Sequence, residues 1–444
     1  MKRIQLLGRL LVAVLLGCVP LAAGRAPSSA HAAASVTITL QMWSGPEGVA
    51  MRPIVARWNK EMGPKTGITL METEPSRDGY DALITSQLLS KSGTPDIVFP
   101  FNWDIPRVAK AGTLVDLTPY IKKNPSQWRL NDFFKVAVDA ANLDRHQYAL
   151  PLDMSLPILY YRKDLIKTPP ATWDDVIKLA DQFTKSRNPK SPTRYGTTLY
   201  GRTGRAEPAQ LWEELYWPYG GSLMDASFHS TIANAAGVKA TMVGRMLVAH
   251  GDVPQPVTNY EYPQVLAALT NGSVAFVQEW NAAWGQIIDK TMDPQYYNKI
   301  GYAPIPGVRV GGTIKRYYHV HTINLAVNAS SKHVAAAVQV LAWLLRPDVA
   351  IAYTEAGGNT PRPSIFSSPA VGKIRGAGFQ SFLANAVACC GRLEPKLAEM
   401  PDIDDLIMNK YLNAAWAGQT PPMAALSKAQ SEINALLKKD GVQR

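Results

Sequence analysis

The sequence predicts an α/β fold divided between two lobes, and three observations carry that prediction. Strand and helix patterns alternate as βαβαβ at the start of the chain, which calls for a parallel sheet with covering helices. About 410 residues beyond the N-terminal leader exceed what a single hydrophobic core organises. No internal repeat, heptad array or low-complexity segment competes with a globular reading.

Taken in order, residues 36–42 alternate as a half-buried strand, 47–62 read as a helix and 68–72 return as a strand. A helix over 78–91 follows, and Thr94-Pro95-Asp96 leads into the apolar strand 97–101. Ligands of open sheets sit outside the carboxyl ends of the strands, here the loops 43–48, 74–77 and 102–104. Further on, the apolar strand 157–161 breaks at Arg162, Lys163 and Asp164, and Pro169 and Pro170 precede a helix that begins at Thr172. The Thr172 hydroxyl suits the free amides there, Asp174 and Asp175 suit the positive end of the dipole, and Trp173, Val176, Ile177, Ala180 and Phe183 share one face. An Asn271-Gly272 helix stop and a buried strand complete the pattern through Trp280.

Lys2, Arg3 and Arg9 precede an apolar run over 10–23, and Ala30-His31-Ala32 supplies a small-residue cut, so residues 1–32 read as a secretory signal. The alternative is Leu15-Leu16-Gly17-Cys18, which resembles a lipobox and would leave a lipid anchor on Cys18. Removing 1–32 leaves 42 Lys/Arg against 35 Asp/Glu, a net +7. With no basic run longer than two residues, that excess does not point to nucleic acid. Cys389 and Cys390 would then be the remaining thiols, either a vicinal disulfide or two small side chains at a helix end. The hydrolase G-x-S-x-G, the zinc-protease H-E-x-x-H, the P-loop and G-x-G-x-x-G are all absent from the sequence.

The chain has 11 Trp, and Trp43, Trp103, Trp217, Trp280 and Trp284 fall in loops instead of on helix faces. A sugar ring offers an apolar C–H face and a rim of hydroxyls, so its site needs flat aromatic surfaces with convergent polar groups. Trp58, Trp173 and Trp343 sit within helical periodicities and are expected in the core. Trp43 and Trp103 follow apolar strands, with Ser44 and Glu47 in the first loop and Asn102 and Asp104 bracketing the second. His319 and His321 alternate on one strand and read either as a ligand-bonding pair, as packing, or, with no third ligand visible, as a weak metal signal. No metal and no cofactor is expected.

PILYYRKDLIKTPPATWDDVIKLADQF at 157–183, NGSVAFVQEW at 271–280, GYAPIPG at 301–307, NLAVNASSKHVAAAVQVLAWLL at 324–345 and GGNTPRPS at 357–364 occur in one order. Together they resemble the family 1 extracellular solute-binding proteins, the maltose-binding-protein-like sugar receptors of ABC importers. That resemblance implies a two-lobed periplasmic-binding-protein-like (type II) fold, each lobe a mixed sheet flanked by helices, with a multi-strand hinge. It implies an N-lobe of 36–150 and 306–356 and a C-lobe of 151–305 and 357–444. The crossings would lie at 148–153, 305–322 and 357–363.

It also implies ligand contacts from Asp153 after the first crossing and from Glu279, Trp280, Asn281 and Trp284 after the VAF strand. His321 lies near the second crossing, and Arg362 in GGNTPRPS offers a bidentate contact or is simply a solvated loop arginine. The expected function is capture of a carbohydrate, polyol or sugar phosphate by hinge closure, by a monomer that delivers it to membrane permease subunits from the periplasmic side, without catalysis. The enzymatic alternative is a secreted glycosidase working with paired carboxylates, which no short motif would report.

Overall fold

A computed structural model describes residues 35–292 and 294–443. The expected export signal over 1–32, with Cys18, lies outside the described residues.

Three strands open the fold, Val36–Gln41, Ile68–Thr73 and Ile97–Val98, and Val36–Gln41 pairs in parallel with both of the others. Their crossovers are the helices Pro46–Glu61 and Tyr80–Leu89. The sheet is mixed, because His321–Val327 returns from far along the chain to pair antiparallel with Ile97–Val98 and with Leu150–Ser155. Trp58 and Trp343 meet edge to face at 5.2 Å beneath this sheet, the core role that their helical spacing predicts.

Between Ser155 and Pro157 the chain leaves this sheet for a second one, in which Pro157–Arg162 lies antiparallel between Phe276–Trp280 and Ile300–Ala303. The turn after it is held by Arg162, whose Nε donates to Asp164 Oδ1 at 2.7 Å. Helix Trp173–Phe183 starts on a capping box in which Thr172 Oγ1 accepts from the Asp175 amide and Asp175 accepts from the Thr172 amide. Its Trp173, Val176, Ile177 and Ala180 are buried in a second core that also holds Trp212 and Trp416. The result is an α/β fold built on two sheets, each with its own hydrophobic core.

Segments joining the two sheets are tied by buried polar groups. Asp153 Oδ2 accepts from Tyr353 Oη at 2.9 Å and from the Asn359 amide at 2.7 Å. Asn281 Oδ1 accepts from the Leu156 amide at 2.8 Å, and its Nδ2 donates to Asn359 Oδ1, which also accepts from Arg375. Every member is at most 4% exposed, so the knot ties three passing segments of the chain together. Cys389 and Cys390 are joined as a vicinal disulfide at the end of helix Ala377–Cys390. Among the described residues no single helix is long and apolar enough to cross a membrane.

Candidate functional site

The carboxyl ends of the first-sheet strands converge on a narrow cleft with a free volume of about 40 Å³. Trp43 enters it two residues beyond Val36–Gln41, and Glu47 enters from the first turn of Pro46–Glu61. The helix can start this close only because Gly48 has no side chain; a Cβ there would stand 2.5 Å from the Trp43 carbonyl oxygen. Trp103 stacks on Phe101 at 4.9 Å and on His321 at 4.7 Å, and Trp43 leans on Phe101 at 4.9 Å. Trp280, at the end of Phe276–Trp280, meets His321 edge-on at 5.4 Å and brings the second sheet to the same wall. Four aromatic rings and an imidazole therefore form one continuous apolar surface.

Polar groups line the rest. Among the described residues His321 Nε2 is buried in the cleft wall without a hydrogen-bond partner, and the Trp43 indole N–H faces the Glu47 carboxyl beside it. Burial, followed by the Arg77 guanidinium, holds the His321 imidazole well below its usual range, so it is neutral at pH 7. Burial pushes the Glu47 carboxyl up against the opposing pull of Arg77. An indole N–H beside a carboxyl and a neutral imidazole with an unpaired nitrogen thus face the same space, polar groups that a hydroxyl-rich guest can engage.

Charged groups close the cleft from both sides. Arg77 stands 3.7 Å from Glu207 and 3.9 Å from Glu261, while Asp78 accepts from Arg205 at 2.9 Å and from Arg202 at 3.2 Å. Arg77 and Asp78 follow a strand of the first sheet, whereas the other four lie between strands of the second. Burial raises Asp81 to about 6, against Arg205 and Arg77, and raises Asp405 to about 8 with Asp81 and Glu207 adding to it.

Of the residues singled out from sequence, Trp43, Glu47, Trp103, Trp280 and His321 meet in this cleft. Ser44 is exposed and lines an adjoining cavity with Arg77 and Tyr262. The other candidates lie elsewhere, packed or bonded within the protein. Asn102 Oδ1 accepts from the Thr322 amide at 2.9 Å, and Asp153 and Asn281 belong to the buried knot. Glu279 accepts from Tyr200 and, at 2.7 Å, from the Trp280 amide, behind the wall that Trp280 presents. Trp217 stacks parallel to His319 at 5.9 Å inside the second core. Trp284 stacks on Phe379 at 4.7 Å and donates to the Arg375 carbonyl at 2.8 Å. Arg362 is 1% exposed, with its guanidinium 3.1 Å from Asp132 and over the Phe133 ring at 3.7 Å.

Sequence reasoning passes over Arg205, Glu207, Gln210, Tyr262 and Asp405 on the opposite wall. Arg77 falls in the 74–77 loop marked by the strand-end rule, but the stretch over 201–210 carries no periodic signal. The two histidines part company: His321 faces the cleft, while His319 turns to Glu213 and Glu394.

The model of a family described as bacterial extracellular solute-binding protein matches residues 43–351. A probable ABC transporter-binding protein of Deinococcus radiodurans is 26% identical over 331 residues, 72% of this chain and 73% of the relative. An ABC transporter solute-binding protein from Agrobacterium radiobacter K84, solved with ribitol, superposes with a TM-score of 0.79 at 23% identity, over 91% of this chain and 99% of that one. Maltose-bound MalE3 of T. maritima gives a TM-score of 0.79 at 22% identity, over 90% and 100% of the two chains.

Proposed function

The chain belongs to the bacterial extracellular solute-binding protein family, and from that premise we propose that it captures a neutral polyol or small saccharide in the Trp43–Trp280 cleft and delivers it to the permease of an ABC importer. The family's place is extracytoplasmic, and in this reading residues 1–32 direct export, with a lipid anchor on Cys18 as the alternative. The monomer works as two lobes, 36–150 with 306–356 and 151–305 with 357–444.

One observation carries the reading: the unpartnered His321 Nε2, with the Trp43 indole N–H and the Glu47 carboxyl close by, is set among stacked aromatic rings. A buried polar atom left unpaired costs about 1–3 kcal/mol, so a guest that supplies the missing partners recovers that free energy on binding. Rings that cannot hydrogen-bond through their faces take the C–H side of the same guest. Neutral ligands are favoured over sugar phosphates because the cleft guanidiniums already face carboxylates. Arg77 stands against Glu207 and Glu261 and Arg205 against Asp78, and a phosphate would have to displace them. Ribitol and maltose, the ligands of the two similar structures, supply the first compounds to try.

Closure follows when contacts from both walls exist only in the shut state. A thermal-shift screen of polyols, mono- and disaccharides and sugar phosphates tests the proposal. A ligand at 100 times its dissociation constant adds about 2.7 kcal/mol. Stabilisation by a neutral polyol or saccharide is the expected result. Stabilisation by phosphorylated compounds alone would overturn the ligand class, and release of new reducing ends from an oligosaccharide would overturn the non-catalytic reading.

A further inference from the structure

Behind the cleft lies a group of side chains that the proposed function does not use. Glu213, His319 and Glu394 come from helix Glu207–Tyr216, strand Tyr318–His319 and the segment after strand Gly391–Arg392, and one ligand atom from each falls within 4.8 Å of the others. His319 Nε2 bonds Glu394 Oε1 directly and stands 3.7 Å from Glu213 Oε2. Glu213 and His319 are 0% exposed and Glu394 is 7% exposed. Among the described residues both oxygens of Glu213 and Nδ1 of His319 lack any hydrogen-bond partner. Asp404, 2% exposed on the helix Asp402–Met408, adds a further carboxyl, hydrogen-bonded to Glu394.

Charge is the difficulty for this cluster as it stands. Among the described residues no Lys or Arg nitrogen comes within 4.0 Å of Glu213, Glu394 or Asp404. The neighbouring cation, Arg392, lies over the Trp217 ring at 4.7 Å. Carboxyls removed from water take up a proton, a counter-charge or a ligand for their lone pairs, and burial pushes Glu213 and Asp404 well above the usual carboxylate range, so a dication would compete with protons here.

We propose that Glu213, His319 and Glu394 form a binding site for a divalent transition-metal ion of the Zn²⁺ class, set one layer behind the ligand cleft. Two carboxylates balance a dication, and an imidazole nitrogen beside them selects zinc-like ions over Ca²⁺ or Mg²⁺, which take oxygen donors. Ligand atoms of a tetrahedral zinc stand about 3.3 Å apart. The Glu213–His319 separation of 3.7 Å is close to that, and the His319–Glu394 pair opens by about an ångström to admit the ion. Asp404 or a water completes the shell. Gln210 joins this site to the cleft, since it lines the cleft wall and its Nε2 donates to Glu394 Oε1 at 3.3 Å. Trp280 touches both His319 and His321 with its ring. A bound ion therefore stiffens the wall that carries Gln210 and Trp280, independently of which guest the cleft takes.

The test uses the purified exported protein, stripped with chelator, reloaded with Zn²⁺ and desalted. Elemental analysis is expected to find one zinc per chain, with a raised melting temperature. Glu213→Gln and His319→Gln should each weaken zinc binding at least about 100-fold. His250→Gln, in the separate Asp181, His250 and Asp252 group, should leave the zinc count unchanged. A second readout needs only one variant: Co²⁺ should quench tryptophan emission through the Trp217 ring stacked on His319, and Trp217→Phe should remove most of that quench. Overturning results are a wild-type protein that retains no zinc, retention that survives His319→Gln, loss of zinc on His250→Gln, or Co²⁺ binding without a Trp217-dependent quench.

Discussion

Asp78 offers the sharpest test of closure, because it reaches from the first-sheet side of the cleft to two arginines on the other. Its carboxylate lies 2.9 Å from Arg205 and 3.2 Å from Arg202, and Arg205, beside it in space, is only 14% exposed. The Arg205 hydrogen bond holds the Asp78 carboxyl below its usual range, so the group is charged throughout the physiological range. Replacing it with Asn removes both ion pairs and keeps the shape. Since Asp78 itself is 61% exposed, each pair is screened by solvent and is worth about 0.2–1 kcal/mol, or roughly 0.4–2 kcal/mol for the two. That corresponds to a closed population reduced by a factor of about 2–30. If the free protein is mainly open, the apparent dissociation constant weakens by the same factor, because affinity scales with the competent fraction.

Titration calorimetry with a ligand found by the stability screen measures this directly, and scattering in the same buffer reports compactness. Salt gives an independent arm. Screening lengths fall from about 8 Å at physiological ionic strength to about 3 Å at 1 M, so wild-type affinity should weaken with salt and that of Asp78→Asn should weaken less. Glu74→Gln serves as control, since Glu74 pairs at 2.5 Å with Arg52 on its own side of the cleft and should leave affinity unchanged. Equal affinity and equal salt dependence for Asp78→Asn and wild type would refute the idea that these pairs help shut the cleft.

Three further outcomes are expected. Trp280→Ala should weaken ligand binding by about 30-fold or more, a loss of roughly 2 kcal/mol or above, while Trp284→Ala should leave the cleft contacts intact; equal affinity of Trp280→Ala and wild type in calorimetry would remove Trp280 from the site. Burial, then Glu47, raises Asp153 to about 7, so the native state holds a proton that the unfolded chain releases near pH 4. Stability should accordingly fall as pH rises from about 4 to 7 and level off above, by at most about 4 kcal/mol shared with Glu47, and Asp153→Asn should flatten that slope in denaturant melts. Trp343→Ala should cost about 3–5 kcal/mol of stability by opening a cavity against Trp58, with no change in ligand affinity once the protein is folded.

The fold was legible because its signals are local. Alternation over 36–41, the Thr172 cap and the buried Trp58 each follow from spacing within one element, and the structure realises them with shifts of a residue or two at the ends. The antiparallel return of His321–Val327 into the first sheet was not legible in that way, since nothing near residue 321 reports a partner near residue 153.

The same distinction sorts the site. Trp43 and Trp103 were visible because a strand end presents its next side chains to the cleft whatever the rest of the chain does. Asp153 and Arg362 looked equally available in sequence, yet each is consumed by a partner some 200 residues away, Tyr353 for the first and Asp132 for the second. Whether a polar side chain is free to meet a ligand is a property of its pairing, and pairing is set by tertiary contacts. That is why Arg205, Glu207 and Gln210, in a stretch with no pattern of its own, stand in the cleft, while the better-marked Trp284 packs on Phe379. It is also why His319 needed the structure: Glu213 and Glu394 lie 106 and 75 residues from it, and only the packing of helix, strand and segment sets them side by side.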